Sequence, residues 1–242
     1  NPYFAPNIEH HKVIDEKKAI LNDFPEDLHP SIRKALHSKG IEQLYCHQKE
    51  AFDATREGQS ITAVTPTASG KSLCYHLPVL QSILEDSASR AIYLFPTKAL
   101  AQDQLADLHQ LIESSEEQIL SYTYDGDTAP GLRSKVRKSG HIVLTNPDML
   151  HSGILPHHTK WVSLFENLKY IVVDELHTYK GVFGSHVAHV LRRLLRICRY
   201  YGSNPVFICT SATIQNPQEL AENLTNTSMR LISRNGAPAG KK

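Results

Sequence analysis

The stretch ITAVTPTASGKSLCYHLPVL, residues 61–80, decides the fold class of this chain. Its opening apolar run predicts a strand, a polar turn ends in Gly70-Lys71-Ser72, and a mostly apolar run predicts a helix. This order matches the end of the phosphate-binding pattern G-x-x-x-x-G-K-[ST] between a strand and a helix, although Thr65 stands at its first glycine. For this stretch alone, a Gly-Lys-Ser that opens a helix by chance is the alternative.

Nucleotide binding requires these residue types at this joint. The N–H groups at a helix N-terminus favour an anion, and Gly70 allows the backbone to approach it closely. The Lys71 ammonium can reach the β- and γ-phosphates, and the Ser72 hydroxyl can bind Mg²⁺. The loop therefore predicts a site for a nucleoside triphosphate with Mg²⁺.

A second segment, YIVVDELHTYKG at residues 170–181, supplies carboxylates for such a site. Asp174 directly follows a predicted buried strand, at the end where the Mg²⁺-linked partner of Ser72 is expected. Glu175 beside it can orient and deprotonate the attacking water. The alternative is a helix start that Asp174 caps and whose dipole Glu175 favours. The two segments together predict hydrolysis of ATP or GTP.

The rest of the chain alternates short apolar strands with amphipathic helices, which predicts a parallel sheet covered on both faces. The predicted strands are 61–64, 90–95, 121–124, 141–145, 170–173 and 206–209. The predicted helices are 12–36 with breaks at Phe24-Pro25 and Pro30, 48–56, 71–84, 100–112 and 187–200. Residues 1–6 are expected to form an extended arm and residues 235–242 a loop.

Composition excludes several classes of protein. The 242 residues are 40% hydrophobic and 21% charged with a net charge of +1, which is typical of a soluble globular protein without a strongly basic surface. No apolar run approaches a membrane span, and no signal peptide is recognised at the start. The 4 cysteines form no C-x-x-C pair, so neither a zinc ribbon nor a disulfide framework is predicted, and a reducing intracellular setting is expected.

Two groups of basic side chains receive no function from the motifs. His186 and His189 would share a helix face and His157-His158 form a pair, but no acidic or cysteine ligand stands at metal-binding spacing nearby. A helix stripe of arginines is interpreted as a solvated face, with contact to DNA or to a partner domain as the alternative. That stripe consists of Arg192, Arg193, Arg196 and Arg199.

Ordered segments of the chain resemble a known family. TPTASGKS, PTKALAQDQ, TNPDML, DELH and SAT stand in the order and spacing of motifs I, Ia, Ib, II and III of superfamily 2 helicases, and LYCHQKEAF resembles their Q motif. DELH resembles the DExH form, and its continuation to RRLLRICRYYG, together with YDGDT, resembles DNA-repair helicases of the mitomycin repair factor A type and their fungal Hrq relatives. The resemblance covers about residues 40–235. It implies a RecA-like α/β domain with a mostly parallel sheet covered by helices on both faces, preceded by a short helical segment.

The resemblance implies a role for each residue that matches a motif. Motif II assigns Mg²⁺ to Asp174, together with Ser72, and the catalytic water to Glu175. Motif I implies that its loop wraps the phosphates and Lys71 faces them, with Ala68 where a glycine is usual. The implied nucleotide-binding residues, including the adenine contacts Tyr45 and Gln48, are Tyr45, Gln48, Thr65, Pro66, Thr67, Ala68, Ser69, Gly70, Lys71 and Ser72. The residues implied to couple this site to the rest of the motor are His177, Ser211, Ala212 and Thr213.

The remaining motifs imply contacts to a nucleic-acid strand. Pro96, Thr97 and Lys98 follow one predicted strand and Thr145 and Asn146 follow another, on the edge that carries the loop. Hydroxyls, amides and N–H groups there can hold phosphates without reading sequence. The alternative is that Thr97 and Thr145 simply cap helices.

The resemblance also implies partners outside this sequence. Residues 1–42 are assigned to an N-terminal arm and accessory helices, 43–234 to a first RecA-like ATP-binding domain, and 235–242 to a linker. A second RecA-like domain with an arginine finger, and a C-terminal zinc-binding region, are expected beyond it. No membrane partner is expected, and the setting is intracellular, cytoplasmic or nucleoid-associated in a bacterium.

The function implied is that of an ATP- and Mg²⁺-dependent DNA helicase motor that moves 3′ to 5′ on single-stranded DNA in DNA repair. RNA is a less expected partner, because backbone contacts barely distinguish DNA from RNA. Two alternatives stay open. One is a DExH RNA helicase or a nucleic-acid-stimulated remodelling ATPase. The other is a nucleotide-gated binding module that turns over negligibly, which applies best to the chain by itself.

Overall fold

A computed structural model describes residues 16–66 and 69–240. Its centre is a seven-stranded parallel sheet in the order β5-β6-β4-β7-β8-β3-β9. The strands are β3 (Ile61–Val64), β4 (Arg90–Leu94), β5 (Ser121–Thr123), β6 (Ile142–Thr145), β7 (Leu168–Val173), β8 (Val206–Ser211) and β9 (Arg230–Ile232). The predicted parallel α/β sheet is therefore confirmed, and all six predicted strands are present within two residues of their expected bounds.

Helices cover both faces of the sheet. They are α1 (Pro30–Ser38), α2 (Cys46–Arg56), α3 (Leu73–Glu85), α4 (Lys98–Ser115), α5 (Pro130–Ser139), α6 (Pro147–Met149), α7 (Val162–Glu166), α8 (Gly181–Tyr200) and α9 (Pro217–Thr225). After α6 the chain makes a π turn, Leu150–Ile154, and a 3-10 turn, Leu155–Lys160, and a second 3-10 turn, Leu176–Thr178, precedes α8.

Alternate strand residues pack into two separate hydrophobic cores. On β4, Ala91 and Tyr93 belong to the core under α1 to α4, whereas Ile92 and Leu94 belong to the core under α5, α7, α8 and α9. This alternation follows from the period of two along a strand. A strand buried on both faces is apolar throughout, which explains why these runs were legible in the sequence.

The N-terminal segment differs from the predicted helix over 12–36. Residues 16–29 are not helical, and Leu21–Asn22 (β1) pairs antiparallel with Leu44–Tyr45 (β2). The Cys46 N–H donates to the Ile20 carbonyl at 3.0 Å, so tertiary pairing uses the backbone groups that a helix would have used. The predicted arm at residues 1–6 and the start of this helix lie outside the described residues.

The tail returns to the N-terminal segment. Lys17 and Ala239 exchange backbone hydrogen bonds of 2.8 and 2.9 Å, and the Ile20 N–H donates to the Gly236 carbonyl at 2.8 Å. Residues 235–240 form no helix or strand apart from this bridge, in agreement with the predicted loop. They pack against the start of α2, where the Gly236 N–H donates to His47.

Sequence reasoning missed several short or marginal elements: the helices α5, α6, α7 and α9 and the strands β1, β2 and β9. In α5 only Val136 is buried, so the segment has almost no apolar periodicity. The edge strand β9 has three residues and pairs only with β3.

The parallel topology decides where functional residues meet. Every strand of the large sheet ends at one edge, the carboxyl edge, where ligands bind in open α/β sheets. The neighbouring strands β7, β8 and β3 form one half of it, and β4, β6 and β5 form the other. No helix within residues 16–66 and 69–240 combines the length and apolar character needed to cross a membrane.

Candidate active site at the carboxyl edge

The loop after β3 is closed by its own side chains. The Lys71 ammonium donates to the carbonyls of Thr65 and Pro66 at 3.1 and 3.2 Å, and the hydroxyls of Thr65 and Ser69 share a hydrogen bond of 2.6 Å. Gly70 has a φ of +73°, and a Cβ added there would lie 2.6 Å from Gln48 Nε2. The left-handed φ therefore favours glycine, and any larger residue would also have to displace the Gln48 amide from its bond to the Gly70 carbonyl. Two further loop residues of the expected set, Thr67 and Ala68, lie outside the described residues.

The start of α2 holds this loop in place. Gln48 accepts from the Tyr45 N–H at 2.9 Å and donates to the Gly70 carbonyl at 2.9 Å. The Gly236 N–H donates to His47 Nδ1 at 3.2 Å, so Nε2 of a neutral His47 carries the proton and donates to the Ser69 carbonyl at 3.1 Å. Burial lowers the pKa of His47, which favours this neutral form.

In this structure the residues of the resembled Q motif contact the loop after β3 and one another. Gln48 is buried and uses both ends of its amide on the loop and its own turn. Tyr45 is half-buried, and its ring stacks on His47 with centroids 5.7 Å apart. Sequence reasoning missed His47, although it stands beside Gln48 in the motif.

Asp174 is a buried carboxylate with two donors. Its Oδ1 accepts from the Thr210 hydroxyl and from the Glu175 N–H, the latter at 2.9 Å. Burial raises the pKa of Asp174, while the two hydrogen bonds and the charge of Lys71 act in the opposite direction. Strand β8 pairs with both β3 and β7, so the loop after β3 and the end of β7 leave the carboxyl edge one strand apart. Thr210, one residue before the expected coupling motif, was not predicted.

Glu175 adopts an unusual backbone conformation. Its φ and ψ are 52° and 45°, in the left-handed region that few residues other than glycine adopt. One carboxylate oxygen, Oε2, lies 3.1 Å from Nδ1 of His177, without hydrogen-bond alignment. The geometry therefore places the candidate base beside the candidate coupling histidine, and strain of this kind is typical of active sites.

Unpartnered polar atoms gather at the ends of β7 and β8. Within residues 16–66 and 69–240, His177 Nδ1, the Tyr179 hydroxyl and Ser211 Oγ are buried without a hydrogen-bond partner. Burial raises the pKa of Tyr179, so its hydroxyl stays protonated as a donor. Ala212 is half-buried and Thr213 exposed. Buried polar atoms are normally satisfied, so this group marks a place where a ligand, water or partner contributes.

The other half of the edge is arranged differently. Thr97 caps α4 by accepting from the Leu100 N–H at 3.3 Å, and Pro96 before it is half-buried. The exposed Lys98 ammonium lies 2.6 Å from the Asp127 carboxylate, and the hydrogen bond between them raises the pKa of Lys98. Asp127 belongs to the turn YDGDT that contributed to the resemblance.

The polar side chains at the end of β6 also have hydrogen-bond partners within the protein. Thr145 is buried, and its hydroxyl donates to the Tyr124 carbonyl at 2.7 Å. Asn146 caps α6 by accepting from the Met149 N–H at 2.8 Å. The candidate strand-binding side chains therefore lie along one half-edge, and three of them cap helices or hold a neighbouring strand.

The chain is similar to proteins of one family. The sequence model described as DEAD/DEAH box helicase matches residues 45–220. The uncharacterized ATP-dependent helicase YprA of Bacillus subtilis is 64% identical over 236 residues, which are 98% of this chain and 32% of that protein. The ATP-dependent helicase HRQ1 of Saccharomyces cerevisiae is 40% identical over 245 residues, 99% of this chain and 22% of that protein.

A solved structure agrees with these similarities. The helicase MrfA bound to DNA and AMPPNP superposes with a TM-score of 0.94 at 64% identity, over 95% of this chain and 32% of that one. The expected RecA-like fold is therefore confirmed. The chain spans about a third or less of the length of the relatives it matches.

Proposed function

The chain belongs to the DEAD/DEAH box helicase family, and from that premise we propose that it is the first motor domain of an ATP-dependent DNA helicase. In this proposal it couples ATP hydrolysis to 3′-to-5′ movement on single-stranded DNA in DNA repair. Support comes from the 64% identity to a helicase solved with DNA and AMPPNP, and from the identity to HRQ1. A cytoplasmic or nucleoid-associated location in a bacterium belongs to the same proposal.

One observation carries the nucleotide half of the proposal. Lys71 follows β3 and the buried Asp174 follows β7, and a single strand, β8, lies between these two strands in the sheet. A cation and a carboxylate held together at the carboxyl edge are the pair that a nucleoside triphosphate with Mg²⁺ requires. To bind the β- and γ-phosphates, Lys71 exchanges its carbonyl partners at Thr65 and Pro66 for phosphate oxygens.

The donor set fits magnesium. Ser72 and Asp174 offer a hydroxyl and a carboxylate oxygen, which are hard ligands. The described residues contain no group of three or more His, Cys, Asp or Glu side chains that could hold a metal ion. That agrees with Mg²⁺, which is usually bound by one or two protein oxygens together with substrate phosphates and water. When bound, the ion neutralises charge that develops on the phosphates.

The roles of the remaining nucleotide-side residues follow from their places. Glu175 takes the proton of the attacking water on its carboxylate. His177 beside it couples the nucleotide site to the rest of the motor. Ser211, Ala212 and Thr213 stand at the end of β8, the strand beside β7, and act with His177 in coupling the nucleotide site to the rest of the motor. Tyr45 and Gln48 contact the adenine, for which Gln48 exchanges part of its present bonding.

The strand half of the proposal uses the other half-edge. Pro96, Thr97, Lys98, Thr145 and Asn146 form one side of a track for single-stranded DNA. Because Thr97, Thr145 and Asn146 already have intramolecular partners, N–H groups supply most of the phosphate contacts. Lys98 contributes charge by exchanging Asp127 for a phosphate.

The proposal includes domains beyond the present sequence. A second RecA-like domain supplies an arginine to the transition state, a contribution worth about 10³–10⁵ in rate in related phosphoryl-transfer enzymes. A zinc-binding region follows it, as in the family that the sequence resembles. The 242-residue chain by itself is expected to bind ATP weakly and to hydrolyse it slowly. Equal rates for this chain and the complete protein would contradict the two-domain motor.

The test is ATP hydrolysis by the complete protein with oligo-dT and with oligo-U. DNA is expected to stimulate hydrolysis more than RNA does. Glu175→Gln is expected to lower kcat by about 10²–10⁴ while ATP still binds, because an amide cannot take the water's proton. The control Glu113→Gln, on an exposed part of α4, should leave kcat unchanged.

Three results would contradict parts of this proposal. Stronger stimulation by oligo-U would favour an RNA helicase. Nucleic-acid binding without measurable turnover would favour a nucleotide-gated binding module. Normal turnover by Glu175→Gln would remove Glu175 as the base.

A further inference from the structure

The outer face of α8 carries cations that the proposed motor does not use. Arg192 and Arg196 are exposed and Arg193 is half-buried, while the helix buries its opposite face in the second core. Across residues 16–66 and 69–240 no carboxylate lies within ion-pair distance of these three arginines. A stripe of cations without ion-pair partners attracts an external anion.

These cations line a groove, here called the α8 groove, between α8 and the turn that follows β6. Its volume is about 500 Å³. Val187, Val190 and Pro147 supply apolar surface, and His151, His186, His189 and the three arginines supply polar and cationic walls. Asp148 is the acidic residue among the lining side chains. The groove therefore combines apolar surface with an excess of positive charge, which fits a ligand that has both flat apolar groups and anionic groups.

An exposed aromatic ring lies in the same groove. Phe183 is 42% exposed and lines it. Its ring stacks on the buried Tyr179 with centroids 5.7 Å apart and an angle of 28° between the planes. A ring fixed from behind and open in front can accept a nucleic-acid base, and such stacking is tolerant of sequence.

The position of the groove connects it to the proposed strand track. Its first lining residue, Pro147, directly follows Asn146, which we assigned to the track. From Phe183 to Arg196 the helix extends about 20 Å at 1.5 Å per residue. A strand that leaves Asn146 can therefore enter the groove at Pro147 and reach both Phe183, near the start of α8, and the arginines farther along the helix.

We propose that the α8 groove binds a single nucleic-acid strand as a continuation of the track, with a base on Phe183 and phosphates on Arg193 and Arg196. This inference rests on the proposed function. An acidic protein segment is a different occupant, which the exposed ring and the shared boundary with Asn146 do not favour.

The test measures binding of fluorescent oligo-dT by the complete protein over a salt series. The lengths are about 6 nucleotides, near the short end of typical single-strand sites, and about 20 nucleotides, beyond their long end. Phe183→Ala and Arg193→Glu are expected to weaken binding of the long oligonucleotide about tenfold, as loss of one stacked base does. Arg193→Glu should also lower the salt slope by about one phosphate contact. Binding of the short oligonucleotide should stay near that of wild type.

Two variants provide matched controls. Arg199→Glu makes the same charge change on the same helix, outside the lining of the α8 groove. Val182→Ala removes an apolar side chain that is 76% exposed beside Phe183 and does not line the groove. Both should bind long oligo-dT like wild type.

Each contrary result has a separate meaning. If wild type binds the long strand and the groove variants bind it equally well, the groove proposal is overturned and the proposed function stands. If Arg193→Glu leaves strand affinity unchanged but lowers the melting temperature of the complete protein, a protein segment occupies the groove and the proposal is again overturned. If wild type neither binds oligo-dT nor hydrolyses ATP, both proposals fail.

Discussion

The two halves of the carboxyl edge hold their polar groups in different ways. On the half built by β7, β8 and β3, Asp174 is buried and held by Thr210, and His177, Tyr179 and Ser211 near the ends of β7 and β8 each have a buried polar atom without a partner in the described residues. On the half built by β4, β6 and β5, Thr97 and Asn146 cap helices. The first half carries groups positioned for a ligand, and the second uses most of its groups to hold the protein together. Substitutions on the first half should therefore affect catalysis, and on the second half stability.

The largest effect is expected for Lys71→Ala in the complete protein. Removing the ammonium should lower the ATPase rate by about 10²–10³ or more, since electrostatic stabilisation of the transferring phosphoryl group is lost. The control is Lys49→Ala, which removes a lysine that pairs with Asp53 on α2 and should retain activity. Steady-state ATP hydrolysis and a thermal melt measure the two effects. Near-normal hydrolysis by Lys71→Ala would remove this half-edge as the nucleotide site.

Asp174→Asn should abolish hydrolysis and stabilise the fold. Because burial raises the pKa of Asp174, the folded state binds its proton more strongly than the unfolded state does. Stability is therefore lost as pH rises above the unfolded pKa, about 3.9, through the folded one. At pH 7 the asparagine variant should gain about 0.5–2 kcal/mol in free energy of unfolding, the common range for a single stabilising substitution.

Urea unfolding at pH 7 and pH 4 checks the sign for Asp174. The gain in stability of the asparagine variant over wild type should shrink at pH 4, where about half of the unfolded chains and a larger share of the folded ones already carry the proton on Asp174. A gain that grows as the pH falls would show that the carboxylate stabilises the fold, and the two halves of the edge would then not differ in this respect.

Thr145→Val should act mainly on stability. The substitution removes a buried hydroxyl and leaves the Tyr124 carbonyl unpaired, at a cost of about 1–3 kcal/mol. Thr62→Val is the matched control, because the Thr62 hydroxyl is buried on β3 without a partner and its removal should cost little. Urea unfolding compares the variants, and oligo-dT binding is measured below their melting temperatures. Weaker strand binding with unchanged stability would mean that Thr145 contacts the strand.

The smallest effect is expected for Lys98→Ala. The ion pair with Asp127 is exposed, so the melting temperature should change little, as for Lys34→Ala in the exposed pair with Glu116. If Lys98 exchanges Asp127 for a phosphate, the salt slope of strand binding should fall by about one contact for Lys98→Ala and not for Lys34→Ala. Equal slopes would remove Lys98 from the track.

Much of the sheet could be predicted because burial leaves a local signature. Strand β3 was predicted with its observed bounds, since a strand buried on both faces is an apolar run between polar turns. The predicted helix over 16–29 was wrong because β1 pairs with β2, and pairing between distant segments leaves no local pattern. Helix α5 was missed for a related reason, since it buries a single residue.

The candidate site also contains residues that could be predicted from the sequence and residues that could not. Lys71, Ser72, Asp174 and Glu175 could be selected from the sequence because their chemistry depends on residue type and on their place at a strand end. Thr210 could not, because its bond to Asp174 joins residues 36 positions apart on different strands. His47 could not either, because its two ring nitrogens join Ser69 and Gly236, the latter 189 positions away.

The sequence by itself determined the fold class, the strand ends and the residue types that stand there. Tertiary structure decided which of the buried hydroxyls at strand ends are free and which are occupied, whereas the caps formed by Thr97 and Asn146 are local. Thr145 and Ser211 are both hydroxyl residues at the end of a buried strand, yet the first donates to the Tyr124 carbonyl and the second has no partner in the described residues. The reason is physical. A hydrogen bond depends on which atom lies within about 3 Å, and neighbouring strands, not neighbouring residues, place that atom.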